Sequence, residues 1–329
     1  MLLAGPDLLD DAMEDLRICG AVLLHETYGA PWAIAVPHET RLREVLGVGA
    51  DVRVLVFHFV RREGFELRID GRDAVSIQTA EIAICTSGAA HLMSRGGAAP
   101  AVPLEALLRG AGPTPAARGT CGATELVCGV FYVRAAPLNP MLGALPPLLR
   151  VATDDVSVTP MLANVAAMLA HEIDRGALRN FTAARLLEVF CAEAIRAYLR
   201  SAGAETRGWL EGLGDARISQ AIRHIHAAPA REWTVQALAT TVALSASRFA
   251  ARFRETTGHS VMRYLARWRA NMACRMLRDT DLHLSEIASR VGYQSLPAFS
   301  RAFKAQLGQA PAAWRISSTR ARARNPLAS

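Results

Sequence analysis

The sequence predicts an α+β multidomain chain: an N-terminal β-barrel or sandwich, a helical linker, and a C-terminal all-α domain of two tandem helix-turn-helix units. Three observations predict it. Short β-rich runs separated by turn residues recur between positions 21 and 133. Residues 233–315 contain the same pattern twice, at an offset of 50 from the phenylalanines onward and one residue less upstream, and a fixed internal period marks a duplicated unit. Charge is divided: Asp215–Ser329 carries 18 basic and 6 acidic residues, whereas the preceding 214 carry 19 and 24. A basic third behind an acidic remainder is the footprint of a separate nucleic-acid-binding module. The boundaries read from these shifts are 1–150, 151–214, 215–316 and a basic, disordered tail over 317–329.

Taken in order, residues 7–18 predict a short amphipathic helix with Leu8, Leu9, Ala12 and Leu16 on one side. The acidic stretch MLLAGPDLLDDAMEDLR has no basic n-region, so no secretory signal is expected. No apolar run reaches the length of a membrane span, and a cytoplasmic chain is expected. Strands are predicted at 21–24, 32–36, 52–60, 65–69, 75–77, 81–85 and 126–133, with Gly29-Ala30-Pro31, Arg62-Glu63-Gly64 and the hairpin dipeptide Asp70-Gly71 as turns. Several such strands suggest a small sandwich or barrel. The Gly-, Pro- and Ala-rich segment 94–119 reads as a loop. Two helical patterns follow, 158–175 and 182–201, with apolar faces wide enough to pack on the strands and on a second subunit. The three glycines around Trp209 mark a hinge candidate.

In the duplicated region, Phe249/Phe253 and Phe299/Phe303 are i, i+4 pairs that place each pair on one helix face. Ala239 and Ala288 allow the preceding helix to cross closely. Ser245 and Ser295 stand where N-caps start the second helices, and Gly258 and Gly308 where they stop. With the phenylalanines buried, the opposite faces carry Ser247, Arg248, Ala251, Arg254 and Glu255 in the first unit, and Pro297, Ser300, Arg301 and Lys304 in the second. Arg301 is the expected base reader, because arginine bonds guanine bidentately. Arg252, Arg248 and Lys304 suit phosphate contacts, which position without specifying.

The strings Ser245-x3-Phe249-x3-Phe253-x4-Gly258-His259-Ser260 and Val291-Gly292-Tyr293-x-Ser295-x3-Phe299-Ser300-Arg301-x-Phe303-Lys304-x3-Gly308-x2-Pro311-x2-Trp314-Arg315 resemble the DNA-binding domain of the AraC/XylS family of transcription regulators. The resemblance implies reading helices at 246–256 and 296–306, joined by a linker helix near 261–278 and set about 34 Å apart on one face of the duplex. Family members often carry larger polar or aromatic residues where this chain has Ala250, Ala251, Leu296 and Pro297. The first helix is therefore expected to read few bases by hydrogen bond and to rely on thymine methyls or DNA shape.

The N-terminal region resembles the cupin-type sensor domain that precedes this module in the family. The resemblance rests on Ala30-Pro31-Trp32, Phe57-His58-Phe59, Phe65-x-Leu67-x-Ile69-Asp70-Gly71, Gly88-x2-His91 and Leu126-Val127-Cys128-Gly129-x-Phe131. It implies an effector pocket, for which Trp32, His58 and His91 are the candidates, and helices that dimerise. A metallocupin needs about three imidazoles and a carboxylate on one ion. His58 and His91 with Glu63 make an incomplete set, position 60 being Val60, so no metal, no cofactor and no catalytic residue is predicted. Six cysteines at 19, 85, 121, 128, 191 and 274, without a CxxC, suggest free thiols. Cys121 and Cys128 are the candidates for redox sensing, Cys121 the better exposed. The expected function is a DNA-binding transcription regulator, an activator by family habit, working as a homodimer with double-stranded DNA, RNA polymerase and a small-molecule or redox effector. The alternatives are a cysteine-based redox regulator of the same architecture and a metal-binding cupin enzyme fused to a DNA module.

Overall fold

The run Arg53-Val-Leu-Val-Phe-His-Phe-Val-Arg-Arg62 is apolar on both of its alternating faces, so it must be covered on both. The computed structural model describes residues 17–49, 52–111, 115–117, 119–134, 145–155, 159–176, 180–201 and 215–323. It places this run as β3 in the middle of a five-stranded sheet of order β1-β9-β3-β6-β10, formed by Arg17–Tyr28, Thr124–Arg134, Arg53–Arg62, Glu81–Cys85 and Leu148–Ala152. A second sheet has the order β5-β4-β7-β2-β8, formed by Val75–Ile77, Phe65–Ile69, His91–Arg95, Trp32–Val36 and Ala101–Pro103.

Val54, Val56 and Val60 join Ile34, Phe65, Leu67, Met93, Leu126 and Val130 in the core enclosed by the two sheets. The other face of β3 presents Phe57 and Phe59. Phe57 stacks on Phe131 at 4.6 Å, and Phe59 meets Phe190 edge-on at 5.8 Å. Gly129 makes the first contact possible: a Cβ there would lie 2.5 Å from the Phe57 ring and 2.3 Å from the Ala21 carbonyl oxygen. Overpacking at such a site costs about 1–3 kcal/mol. Gly129→Ala is expected to lower the thermal midpoint of the strand-rich unit by several degrees, which calorimetry of the full chain would register.

Phe190 belongs to helix Phe181–Ser201, which pairs with helix Pro160–Asp174. Both group with the sheets: one compact unit comprises 18–134 and 145–201. Arg61 of β3 bonds both Asp174 carboxylate oxygens, at 2.5 and 2.9 Å. It also lies 3.0 Å from Glu125, which is bonded to His25. The apolar faces of the two helices exceed what the sheets cover. Leu162, Val165, Leu169, Leu187 and Phe190 are buried, whereas Met161, Met168, Phe181 and Val189 are exposed.

Several elements differ from the sequence expectation. The predicted loop 94–119 contains β8, which pairs parallel to β2, and a short helix Leu104–Leu108. Helix Glu39–Leu46, begun by the His38 side chain and ended by Gly47 at φ 68°, was not predicted, because its polar sequence gives only a weak periodic signal. β1 is longer than expected. The helix predicted over 7–18 lies outside the described residues except Arg17 and Ile18, which begin β1. The hinge candidate around Trp209 also lies outside them. The sequence predicts a disordered basic tail from 317. Helix Pro311–Ala323 instead runs through its first seven residues, since alternating Arg and Ala both favour helix.

The second unit, over 215–323, is all-helical. Helices Val235–Thr241 and Ala246–Thr257 form the first helix-turn-helix, and Leu284–Arg290 and Leu296–Leu307 the second. Val261–Asp279 links them. The four predicted cap residues act as expected. Ser245 and Ser295 accept from the backbone N–H of Arg248 and Ala298. Gly258 and Gly308, at φ 72° and 75°, close the second helices. The phenylalanine pairs meet at 5.6 Å in each unit and are at most 1% exposed. The one-residue slip falls in the turns, where Leu244 N–H bonds Ala239 O and Tyr293 N–H bonds Ala288 O. The second turn then holds one more residue, Gln294, before its capping serine.

His226 anchors the start of this unit. Its ring stacks on Trp268 at 3.5 Å, and its Nε2 meets the Tyr264 hydroxyl at 2.9 Å. Burial lowers its pKa to about 3. The unfolded chain takes up this proton near pH 6.5 while the folded chain does not. The stabilisation is therefore complete above about pH 6.5 and is lost progressively as pH falls toward 3. Denaturant midpoints measured between pH 7 and 4 should fall for the native chain, and fall less for His226→Phe.

Candidate nucleic-acid interface and sensor interior

Burying Phe249 and Phe253 turns the other side of helix Ala246–Thr257 outward. Ser247, Arg248, Ala251, Arg252, Arg254 and Glu255 are all exposed. In helix Leu296–Leu307 the exposed residues are Leu296, Pro297, Arg301, Lys304 and Ala305, with Ser300 half-buried. Among the described residues, Arg248, Arg254, Arg301 and Lys304 have no ion-pair partner, so their charge is directed to solvent. Arg252 is different. It is ion-paired to Asp215, which also caps helix Ala216–Ala227 by accepting from Arg217 and Ile218 N–H.

One feature near this face escaped the sequence reading. Arg263 and Arg267, with the His259 ring beside them, make a basic strip next to the first unit. Desolvation lowers the His259 pKa, and the charges of Arg267 and Arg263 lower it further. These three residues come together only because Gly258 ends one helix and Val261 opens the next. The available signal was the i, i+4 spacing of His259, Arg263 and Arg267, which crosses that helix boundary.

The interior of the strand-rich unit differs from the expected pocket. Trp32, His58 and His91 are each under 5% exposed. The Trp32 ring packs 5.7 Å from Tyr28 and 5.9 Å from Phe65, and its Nε1–H donates to the Thr124 hydroxyl at 3.4 Å. It is a core residue rather than the wall of an open cavity. A groove on the second sheet, lined by Phe65, Glu66, Arg68, Ser76, Ser94 and Arg95, includes none of the three. Glu63, weighed as a third ligand, pairs outward with Arg95 at 2.7 Å.

His58 and His91 do meet, Nε2 to Nε2, at 2.8 Å. Cys128 Sγ lies 3.0 Å from His58 Nδ1. Cys85, unpredicted here, completes a cluster in which the Cys85 Sγ and one nitrogen of each histidine all lie within 4.8 Å of one another. Strand register explains this. Val56 pairs with Cys85 and His58 with Cys128 on the two neighbours of β3, while His91 enters from β7 of the other sheet. Burial pushes the Cys85 thiol up to about 12 and the Cys128 thiol higher still. Cys128 is therefore not the accessible, acidic thiol that redox sensing requires. Cys121 is exposed. Its replacement by Ser is expected to leave melting unchanged and to abolish any oxidant response of DNA binding that a thiol mediates, a contrast that binding assays with and without oxidant would measure.

A second group, His25, Glu125 and Asp174, already holds the Arg61 guanidinium among its carboxylates. Arg62 also lies 3.7 Å from Glu125, so two guanidiniums offset the two carboxylates.

Comparison with known proteins agrees with this architecture. The family described as Cupin matches residues 7–200, and the Helix-turn-helix domain family matches 238–317. A putative AraC-like transcription regulator of Streptomyces lividans is 31% identical over 80% of this chain and 87% of its own length. One from Streptomyces antibioticus is 30% identical over the same shares. The transcriptional regulator AlkR of Acinetobacter baylyi is 32% identical over 54% of this chain and 58% of its own.

Proposed function

Because the chain belongs to the AraC-like transcription regulators, with a cupin domain ahead of a helix-turn-helix domain, we propose that its two second helices enter successive major-groove segments of one duplex. The observation that carries this reading is the outward charge of Arg248, Arg254, Arg301 and Lys304, unpaired among the described residues, on the faces opposite the buried phenylalanine pairs. Arg301 reads a base. Arg248, Arg254 and Lys304 hold phosphate, joined by Arg263 and Arg267 beside the first unit. Arg252, held by Asp215, steadies the start of the module and contributes less.

The cupin domain supplies control. An effector acts by favouring one arrangement of the chain over another, and in this reading no reaction is catalysed. The exposed Met161, Met168, Phe181 and Val189 suit a homodimer formed through the helical pair. Sedimentation of the chain and of a Met161→Asp, Met168→Asp variant tests that: the native chain should sediment as a dimer and the variant as a monomer. Activation through RNA polymerase in the cytoplasm completes the proposal.

The deciding experiment is binding of the purified chain to duplex from its own upstream region and to random duplex, over a salt series, with and without reductant. Specific binding that persists at physiological salt supports the reading. Equal, salt-labile binding to both duplexes at every effector condition tested would remove it. Removing one phosphate-binding cation should lower the slope of log affinity against log salt by about one. Arg263→Ala and Lys304→Ala should each therefore reduce the slope without changing site preference.

A further inference from the structure

We infer that Glu255 is a specificity-determining residue of the first helix-turn-helix, its carboxylate accepting from the amino group of a cytosine in the major groove. This role rests on the DNA-reading proposal above and names one base that the first unit reads by hydrogen bond. Ser247, Ala251 and Glu255 are all exposed on the outward side of helix Ala246–Thr257, at the i, i+4, i+8 spacing of one helix side. The fifty-residue offset lays them over Pro297, Arg301 and Ala305. An acid thus stands on the side where the second unit carries an arginine between two small residues.

The segment Asp215–Ser329 carries 6 acidic residues. Asp215 pairs with Arg252 and caps a helix, Glu232 accepts from Gln294, Asp279 is bound by Arg278, and Glu286 pairs with Arg290. Asp281 lies in the connection between helices Val261–Asp279 and Leu284–Arg290. Of these acids, only Glu255 lies on a side opposite a buried phenylalanine pair, and among the described residues it has no partner. Three positions back, Arg252 is committed to Asp215. The place is unfavourable for an acid in two ways. Glu255 stands in the last turn of its helix, where a carboxylate meets the negative end of the dipole. It also opposes the attraction of the module for phosphate. Alanine would incur neither penalty, and a hydrogen bond to a base is what offsets them.

An ionised carboxylate only accepts hydrogen bonds. In the major groove guanine presents N7 and O6 and thymine presents O4, all acceptors that repel it. Adenine sets its N6 donor beside the N7 acceptor, whereas cytosine offers the N4 donor with no acceptor beside it. Cytosine is therefore the best partner. Ala251, at the centre of the stripe, lets the helix approach closely. Both ends of the stripe, about 12 Å apart along the axis, then come to the base edges. Arg254 and Arg248 project about 60° to either side of Ala251. They can take phosphates on the two walls of the groove and so hold the carboxylate clear of them.

The test is selection of duplexes from a random pool by the full native chain, by Glu255→Gln and by Glu255→Ala, followed by titration of the selected duplex against its single-pair variants. The native chain should favour cytosine at one pair by about fivefold or more, a pair distinct from the one that Arg301→Ala relaxes. Glu255→Gln should move that preference to adenine, because an amide bonds adenine N6 and N7 together. Glu255→Ala should lose the preference there and bind random duplex more tightly than the native chain. It should melt no lower, since an acid has left the negative end of the helix. A native chain that selects no sequence removes the DNA-reading proposal and this role with it. A native chain that selects a sequence, with variants that keep its preference at every pair, overturns the role of Glu255 alone. So does a Glu255→Ala chain that loses every sequence by the same factor.

Discussion

Replacing Arg301 with alanine is expected to weaken binding to the specific duplex by about 1–3 kcal/mol, roughly 5- to 150-fold, and to relax preference at one base pair. The residue stands at the centre of the outward stripe Pro297, Arg301, Ala305, is exposed, and has no acidic partner among the described residues. Its guanidinium thus reaches the groove without first breaking an internal bond, and its small neighbours along the stripe let the helix approach closely. The fifty-residue offset aligns it with Ala251. The two units therefore present an arginine and a methyl group at the same place, so the second should discriminate guanine while the first favours a thymine methyl or a groove shape. Binding titrations against a duplex series substituted at each position would show the relaxed base. If Arg301→Ala lowers affinity for specific and random duplex by the same factor, Arg301 holds phosphate. Lys304→Ala supplies the contrast, since a phosphate contact should weaken every sequence alike.

The C-terminal half of the architecture was legible because its signals are local. Two phenylalanine pairs, two capping serines and two left-handed glycines sit at fixed short spacings, and each acts within a few residues of itself. The exposed basic face followed directly as the side opposite the phenylalanines. The strip of His259, Arg263 and Arg267 was missed because it starts in a turn and continues on the next helix. Arg252 reads as a phosphate contact in the sequence because its partner, Asp215, is 37 residues away and outside the repeat. The sensor interior was less legible for the same reason. His58 and His91 could be singled out by type, but Cys85 joins them only through the register of β3 with β6, and Glu63, weighed as a third ligand, pairs with Arg95 instead. Trp32 reads as a pocket wall because an aromatic beside Ala-Pro carries no sign of whether its ring packs inward. The apolar stripes of the helical pair, in contrast, are visibly broader in the sequence than one interface needs.

Arg269→Ala is expected to uncouple the two helix-turn-helix units while leaving each folded. From the linker helix, Arg269 Nε–H donates to the Pro229 carbonyl at 2.8 Å, and Nη2–H to the Arg231 carbonyl at 2.9 Å. Its guanidinium also lies 5.5 Å from the centre of the Tyr293 ring, in the turn of the second unit. One side chain thus ties together the segment before the first unit, the linker and the second turn. Hydrogen bonds from a charged donor contribute about 1.5–3 kcal/mol each, so the loss should be on the order of a few kcal/mol and visible as a lower melting temperature of the helical unit. Binding should respond more steeply than melting. A duplex that engages both helices at once benefits from their fixed spacing, and a loose linkage forfeits that preorganisation. Affinity for a full site should therefore fall by at least about tenfold, while affinity for a duplex carrying one half-site changes little. Arg269→Lys should not rescue it, because a single ammonium cannot reproduce the planar fork. Gly292 provides an independent check on the same junction. It adopts φ 85°, and a Cβ there would lie 2.8 Å from the Ala230 backbone and from the Arg269 guanidinium. Gly292→Ala should separate full-site from half-site binding in the same direction. Equal losses on both duplexes for both variants would show that the junction stabilises the fold without setting the distance between the reading helices.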